Sequence, residues 1–280
     1  MIKTNMNIAN TVESDNSFNL TLNETYKIHT NEDNNGFNTE WCEICETRAN
    51  EIRSGKDKTY NKVLLPYVLE TVKQNTSLTD TILDIGSGCG FLTSKIAEMR
   101  NVQGIDISCK AIEHSKNNYS QLSFFQGDIR TIKLPQSYNF AVANMVVHNL
   151  PDLSAFFRNV HNMLKYNGTL LIVILHPFYW GSEKLKNQGF VYNESKVYLR
   201  KFKNISKPIK YYHRPIYEYA SAIEQSGLEL WNIEPIYEEY DNVCYQKYPH
   251  ILSIIAKRKL QESTTIISPP ILSDLRRQVL

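Results

Sequence analysis

The chain reads as a doubly wound α/β domain, a parallel sheet with helices packed on both faces. Three observations predict it. From Thr79 onward, strand-like apolar runs alternate with helical patterns five times in succession. The runs are apolar almost without a break, as expected where helices cover both faces of a sheet. A glycine-rich turn joins the first run to the helix that follows it.

Residues 1–37 read as an N-terminal arm, for residues 1–38 hold ten asparagines and their apolar positions follow no clear period. The arm is either poorly ordered or a flap docked through Phe18, Leu20, Leu22 and Tyr26. The domain proper spans 38–260. Trp41, Ile44, Cys45, Arg48, Ala49 and Ile52 share one helical face, with Asn38 or Thr39 as its cap. A second helix runs through Val63, Leu64, Tyr67, Val68 and Val72, with Pro66 in its first turn.

The alternation then begins. Strand Thr81–Ile85 leads to helix Phe91–Met99, strand Val102–Ile105 to helix Cys109–Asn118, and strand Leu122–Gln126 to a short connection. Strand Phe140–Met145 is followed by helix Leu153–Leu164, and Asn167-Gly168 turns the chain into strand Thr169–Leu175. Residues 178–213 interrupt the pattern as an inserted lid, since connections this long inside a domain are functional or disordered. The lid holds eight cations (Lys184, Lys186, Lys196, Arg200, Lys201, Lys203, Lys207, Lys210) against Glu183 and Glu194, and nine aromatics. That composition reads as a solvated, charged cover whose aromatics suit a flat acceptor. Helix Pro215–Ser226 and strands Leu228–Ile236 and Ile251–Ala256 close the domain, and 261–280 is a tail.

Composition narrows the class. With 31 Lys plus Arg against 29 Asp plus Glu the net charge is +2, which gives no general nucleic-acid footprint. The longest apolar run, Leu170–Leu175, is far short of the ~20 residues that span a bilayer. Five cysteines do not form an even disulfide framework, so a reducing, cytoplasmic setting is expected. Cys42-x-x-Cys45 has no second pair in sequence, and helical packing rather than a metal is the expectation.

The strongest motif is Asp84-Ile85-Gly86-Ser87-Gly88-Cys89-Gly90, a turn from buried strand to helix where α/β folds bind ligands. Its spacing is G-x-G-x-G, which departs from the G-x-G-x-x-G of dinucleotide dehydrogenases. Asp106 ends the next strand, where a carboxylate can accept both ribose hydroxyls. Asp128 ends the third, placed to accept from an adenine amino group.

The glycine loop, Asp106 and Asp128, followed by Leu164-Lys165-Tyr166-Asn167-Gly168, resembles the class I S-adenosylmethionine-dependent methyltransferases from Trp41 to Lys259. The resemblance implies a Rossmann-like seven-stranded sheet with an antiparallel last strand, an N-terminal helical cap, and S-adenosylmethionine as cofactor. It places Asp84, Gly86, Gly88 and Gly90 around the methionine part, Asp106 and Ile107 at the ribose, Asp128 and Ile129 at adenine, and Asn144 at the sulfonium. Tyr60 and Trp41 would close over the donor. Asn167 departs from the proline common at that position.

Ile174–Phe178, Tyr212–Ile216 and Glu234-Pro235 are similar to a subset that methylates small molecules. The asparagine-rich arm and aromatic lid resemble plantazolicin N-methyltransferases of bacilli, which dimethylate the terminal amine of an arginine-headed azole peptide. The acceptor implied is a small molecule or modified peptide, methylated on an amine. A phenolic or hydroxylated acceptor and a non-catalytic cofactor-binding scaffold are the alternatives. Nucleic acid is not expected, because Ala143-Asn144-Met145-Val146 lacks the Asn/Asp-Pro-Pro-aromatic motif of nucleobase methyltransferases. Membrane and metal are not expected either. His148, His176 and Tyr179 are the candidate catalytic groups. Asp152 either caps the helix beginning at Leu153 or pairs with a substrate guanidinium. His213 and Arg214 are explained at least as well by packing.

Overall fold

In chain order the elements are α1 (Asn34–Arg53), a π-helical turn (Tyr60–Leu64), α2 (Leu65–Asn75), β1 (Thr81–Ile85), α3 (Phe91–Ala97), β2 (Asn101–Asp106), α4 (Cys109–Asn118) and β3 (Ser123–Gln126). There follow β4 (Tyr138–Asn144), a 3-10 turn (Val147–Asn149), α5 (Leu153–Met163), β5 (Leu164–Leu175), α6 (Tyr179–Lys184), β6 (Lys196–Arg200) and β7 (Ile209–His213). The last described elements are α7 (Ile216–Gln225), β8 (Leu228–Ile236), β9 (Glu239–Tyr240), β10 (Val243–Cys244) and β11 (Ile251–Arg258). This computed structural model describes residues 34–186, 189–200, 208–240, 243–244 and 248–259. Phe18, Leu20, Leu22 and Tyr26 of the arm, Lys201, Lys203 and Lys207 of the lid, and the tail lie outside the described residues.

Seven strands form one sheet in the order β3-β2-β1-β4-β5-β11-β8. The pairs β2–β3, β1–β2, β1–β4 and β4–β5 are parallel, and β11 runs antiparallel to both β5 and β8. The last strand in sequence is therefore the antiparallel one, as expected, and it lies inside the sheet with β8 at the edge. Strand order reverses between β1 and β4, the switch point outside whose carboxyl ends α/β sheets bind ligands.

Alternation along the strands fills two cores. On one face Leu170, Ile172 and Ile174 meet Phe156, Phe157 and Val160 of α5 and Ile223 of α7. On the other, Leu171 and Val173 meet Val68 and Val72 of α2 and Ile96 of α3. Phe156 and Phe157 are fully buried, each contributing about 1.5–3 kcal/mol.

Three expectations are corrected. Helix α1 begins at Asn34, so neither Asn38 nor Thr39 caps it. Asn167-Gly168 does not separate a helix from a strand: β5 already starts at Leu164, and residues 165–168 bulge between the pairs Tyr138–Leu164 and Phe140–Thr169. Asn167 takes the left-handed conformation (φ 61°) that the bulge requires. The described part of the lid is folded rather than simply solvated: β6 and β7 pair antiparallel, and Trp180, Leu185, Tyr198 and Tyr211 form a third core with Leu175. Arg200, one of its eight cations, is buried.

Candidate functional site

The glycine loop follows β1 into α3 with three left-handed glycines, Gly86 (φ 69°), Gly88 (φ 54°) and Gly90 (φ 81°). They need glycine for different reasons. A Cβ on Gly86 would lie 2.3 Å from Val146 Cγ2, and one on Gly90 would lie 2.9 Å from Phe124 and Ser115. A Cβ on Gly88 would meet nothing within 4 Å, so the backbone there faces open space. The N–H groups of Gly86 and Ser87 donate to Ile105 O at 2.7 and 2.9 Å, fixing the loop against β2.

Asp84 is buried beneath the loop and accepts from Thr93 Oγ1 at 2.6 Å. Loss of water pushes its carboxyl up to about 7, with the hydrogen bond from Thr93 opposing and Asp106 adding to the rise. Asp106 ends β2 and accepts from Gly88 N–H through Oδ2 and Ser108 N–H through Oδ1, each at 2.8 Å. Burial raises its pKa, and backbone N–H groups of Ser108, Gly88 and Ile107 pull it back. The carboxylate thus ties the glycine loop to the start of α4, while each oxygen keeps a second lone pair.

Beyond β3 the acid is already engaged. Asp128 already accepts from Arg130, from Nε at 3.0 Å and Nη2 at 2.6 Å, and from the Arg130 backbone N–H at 2.9 Å. Ile129 beside it is buried in the core.

At the end of β4, Asn144 Oδ1 is buried without a hydrogen-bond partner. Met145 next to it is left-handed (φ 61°), a conformation costing about 1–2 kcal/mol in a non-glycine residue. It is held by Met145 N–H to Val173 O at 2.7 Å and by Asn149 Nδ2 to Met145 O at 3.0 Å. Strain of this kind collects at functional sites.

His148 lies in the 3-10 turn after β4, and His176 directly follows β5. His148 is buried; its Nε2 accepts from Arg200 Nη1 at 3.4 Å and its Nδ1 has no partner. Burial, then the charges of Arg200 and Arg214, hold its pKa well below the usual range. His176 Nδ1 faces the N–H groups of Phe178 and Tyr179, both at 3.3 Å, so the ring proton sits on Nε2. Burial pushes its pKa down to about 4. Tyr179 lies 4.7 Å from the His176 ring and stacks on Tyr248 at 5.0 Å. Arg214 donates to Leu150 O and Pro151 O, and His213 Nε2 contacts Tyr192 O, so both pack as expected. Asp152 caps α5, accepting from Ala155 N–H at 2.9 Å, and is exposed.

The helical cap lies beside the loop. Tyr60 is buried with its ring edge-on to Phe91 at 5.9 Å, and α1 carries the half-buried Trp41. Arg130, Arg200 and the strained Met145 were not singled out for the site from sequence. Only Arg130, two residues after Asp128, had a local signal. Among the described residues no group of three or more His, Cys, Asp or Glu is arranged to hold a metal ion.

A glycine cradle at the switch point with an acid at the next strand end defines a Rossmann-like nucleoside-binding domain. A family model described as a methyltransferase domain matches residues 77–219, just over half of the chain, and the chain belongs to that family. It is a class I methyltransferase domain, the class whose cofactor is S-adenosylmethionine. Methyltransferase 235L of Invertebrate iridescent virus 6 is 27% identical over 159 residues, 55% of this chain and 58% of that protein. Malonyl-[acyl-carrier protein] O-methyltransferase of Bacillus cereus is 27% identical over 111 residues, 37% of this chain and 41% of that protein. The chain thus spans about half the length of the curated relatives it matches. Among solved structures, a methyltransferase of Methanosarcina mazei superposes with TM-score 0.58 at 19% identity, covering 68% of this chain and 98% of that one. CalS10, an amino pentose methyltransferase of Micromonospora echinaspora solved with S-adenosylmethionine, gives 0.53 at 14% identity, covering 75% and 96%.

Proposed function

We propose that the protein methylates an amine nitrogen of a small-molecule or modified-peptide natural product, using S-adenosylmethionine, in the cytoplasm. The residues present fit that cofactor. Open space lies over Gly88, Asp106 keeps lone pairs for ribose hydroxyls, and Asn144 Oδ1 is a buried acceptor with no partner. Asp84 and the three glycines would surround the methionine part, Asp106 and Ile107 the ribose, and Asn144 and Tyr60 the reactive end. Asp128 would reach adenine after releasing Arg130, with Ile129 contributing only backbone. When bound, the cofactor supplies an electrophilic methyl group on a sulfonium.

One observation carries the amine reading: both site histidines are weak bases. A phenol with pKa ~10 facing a base with a conjugate-acid pKa of about 4, as at His176, transfers its proton uphill by about 8 kcal/mol. An α-amine, with pKa ~8, supplies its own neutral fraction. His176 then acts as a positioning residue that offers Nε2–H, with Tyr179 and Trp41 as walls. The rate comes from holding the lone pair in line.

Within that class, an arginine-headed azole peptide dimethylated at its terminal amine is the specific candidate. The stacked Tyr179–Tyr248 pair and exposed Phe178 suit flat azoles. Arg200 and Arg214, whose charges bear on His148, favour a guanidinium that stays outside the interior. The same two arginines favour a second reading, a carboxylate acceptor, which also needs no base.

The test is a mass-shift assay on amine, phenol and carboxylate acceptors across pH. The expected result is methylation of amines alone, with a rate that follows the acceptor's own ionisation. His176→Asn should stay within about tenfold of wild type. Phenol methylation, or a pH limb that disappears with His176, overturns the amine reading; carboxylate methylation alone selects the second.

A further inference from the structure

Four cysteines that are dispersed in sequence meet in one corner of the fold. Cys42 and Cys45 lie on α1, Cys89 in the glycine loop and Cys109 at the first turn of α4. Cys42 Sγ and Cys109 Sγ are 3.4 Å apart. Cys89 Sγ donates to Cys45 O at 3.3 Å, so α1 rests directly on the loop read above as the cofactor cradle. Arg53 Nη2 and His114 Nε2, at 2.8 Å, join the same two helices further along. Helix α1 therefore lies beside both the glycine loop and the helix that starts just after Asp106.

The two facing sulfurs differ in character. Cys42 accepts from Ser108 Oγ at 3.2 Å and sits against the amino end of α4, where N–H groups favour a thiolate. Those hydrogen bonds lower its pKa against the opposing effect of burial. Cys109 is exposed, and the hydrogen bond it shares with Cys42 raises its own pKa. A cleft of about 340 Å³ lined by Cys42, Cys45, Lys110 and His114, with Glu46 and Glu113 at its sides, gives solutes access. A disulfide requires the sulfurs to close to ~2.05 Å, which rotation of the exposed Cys109 side chain can supply.

We propose that Cys42 and Cys109 are a reversible disulfide site that clamps α1 across the cofactor cradle. Cys42 thiolate attacks one sulfur of a small-molecule disulfide such as oxidised glutathione, expelling one glutathione thiolate. Cys109, losing its proton to solvent, attacks the Cys42 sulfur and expels the second. Two thiols are oxidised, one glutathione disulfide is reduced to two thiols, and no other reactant is needed. With α1 tied to α4, the cap cannot swing away from the loop, so cofactor enters and leaves slowly.

The clamp rests on the reading of the glycine loop as the cofactor site. Its test therefore uses two readouts on the full-length protein. After incubation with oxidised glutathione, peptide mass spectrometry should find Cys42 linked to Cys109. S-adenosylhomocysteine uptake and release, followed by stopped flow, should both slow by about tenfold or more and recover with dithiothreitol. Cys109→Ser should carry a glutathione adduct on Cys42 in place of the link. Cys42→Ser should keep reduced-state kinetics in oxidant, and Cys45→Ser should still close the clamp. Absence of the link, a Cys45–Cys89 link instead, or a Cys42–Cys109 link with unchanged cofactor kinetics overturns the proposal. A reduced protein that does not bind S-adenosylhomocysteine defeats the cofactor reading, while the linked peptide still decides whether the pair closes.

Discussion

Gly88→Ala separates the cost of a backbone conformation from the cost of filling a ligand's place. Gly88 sits at φ 54° with nothing within 4 Å of an added Cβ, so the methyl group meets no protein atom. The only folding penalty is the left-handed conformation itself, about 1–2 kcal/mol. For a domain of this size that lowers Tm by about 2–8 °C. Gly55, in the turn after α1, has φ 72° and the same open surroundings, so Gly55→Ala should cost an equal amount. If the space over Gly88 belongs to the cofactor, its methyl group must also overpack the bound state, by about 1–3 kcal/mol. Calorimetric titration with S-adenosylhomocysteine should therefore show about 5- to 150-fold weaker binding for Gly88→Ala and wild-type binding for Gly55→Ala. Equal melting shifts with equal affinities would refute the argument, because the open space would then not be where the ligand lies.

Two further outcomes follow from the core and the lid. Asp84, pushed up to about 7, holds its proton in the folded chain at pH values where the unfolded carboxyl, at ~3.9, has lost it. The stability this contributes is complete below ~pH 4 and lost as pH rises through about 7, amounting to about 4 kcal/mol. Thermal melts of wild type against Asp84→Asn should diverge in the variant's favour across that window, and parallel curves would remove the raised pKa. Trp180, buried in the lid core beside Tyr211, should cost the lid about 3–5 kcal/mol when cut to alanine. Cofactor binding should survive while turnover is lost, as calorimetry and a mass-shift assay on one preparation would show.

The parts of the fold that were readable from sequence are those set by local rules. Strand β1 and helix α4 have the predicted bounds, and so has β8, because apolar runs or a helical face end there at strong turn or capping residues. Ser108, for example, stops β2's continuation by accepting from Ala111 N–H at 3.1 Å. The start of helix α1 is not legible, because residues 34–38 show no apolar period that would extend the helical face beginning at Trp41. The bulge at 165–168 was hidden for another reason. Asn-Gly is a strong turn signal, and nothing local says that the residues before it, from Leu164, already pair with β4.

The site divides along the same line. Its cofactor half is built where strand, loop and helix are contiguous, so Asp84, the three glycines and Asp106 arrive in an order that the sequence displays. The proposed acceptor half draws on distant segments. His148 meets Arg200 across 52 positions and shares the field of Arg214, and no spacing rule joins these residues. The consequence is chemical as well as topological. Read alone, His148 and His176 are ordinary candidate bases; burial, joined at His148 by the charges of Arg200 and Arg214, makes both resist taking a proton. On the proposed reading the acceptor brings its own nucleophilic lone pair, which would favour amines or carboxylates over phenols.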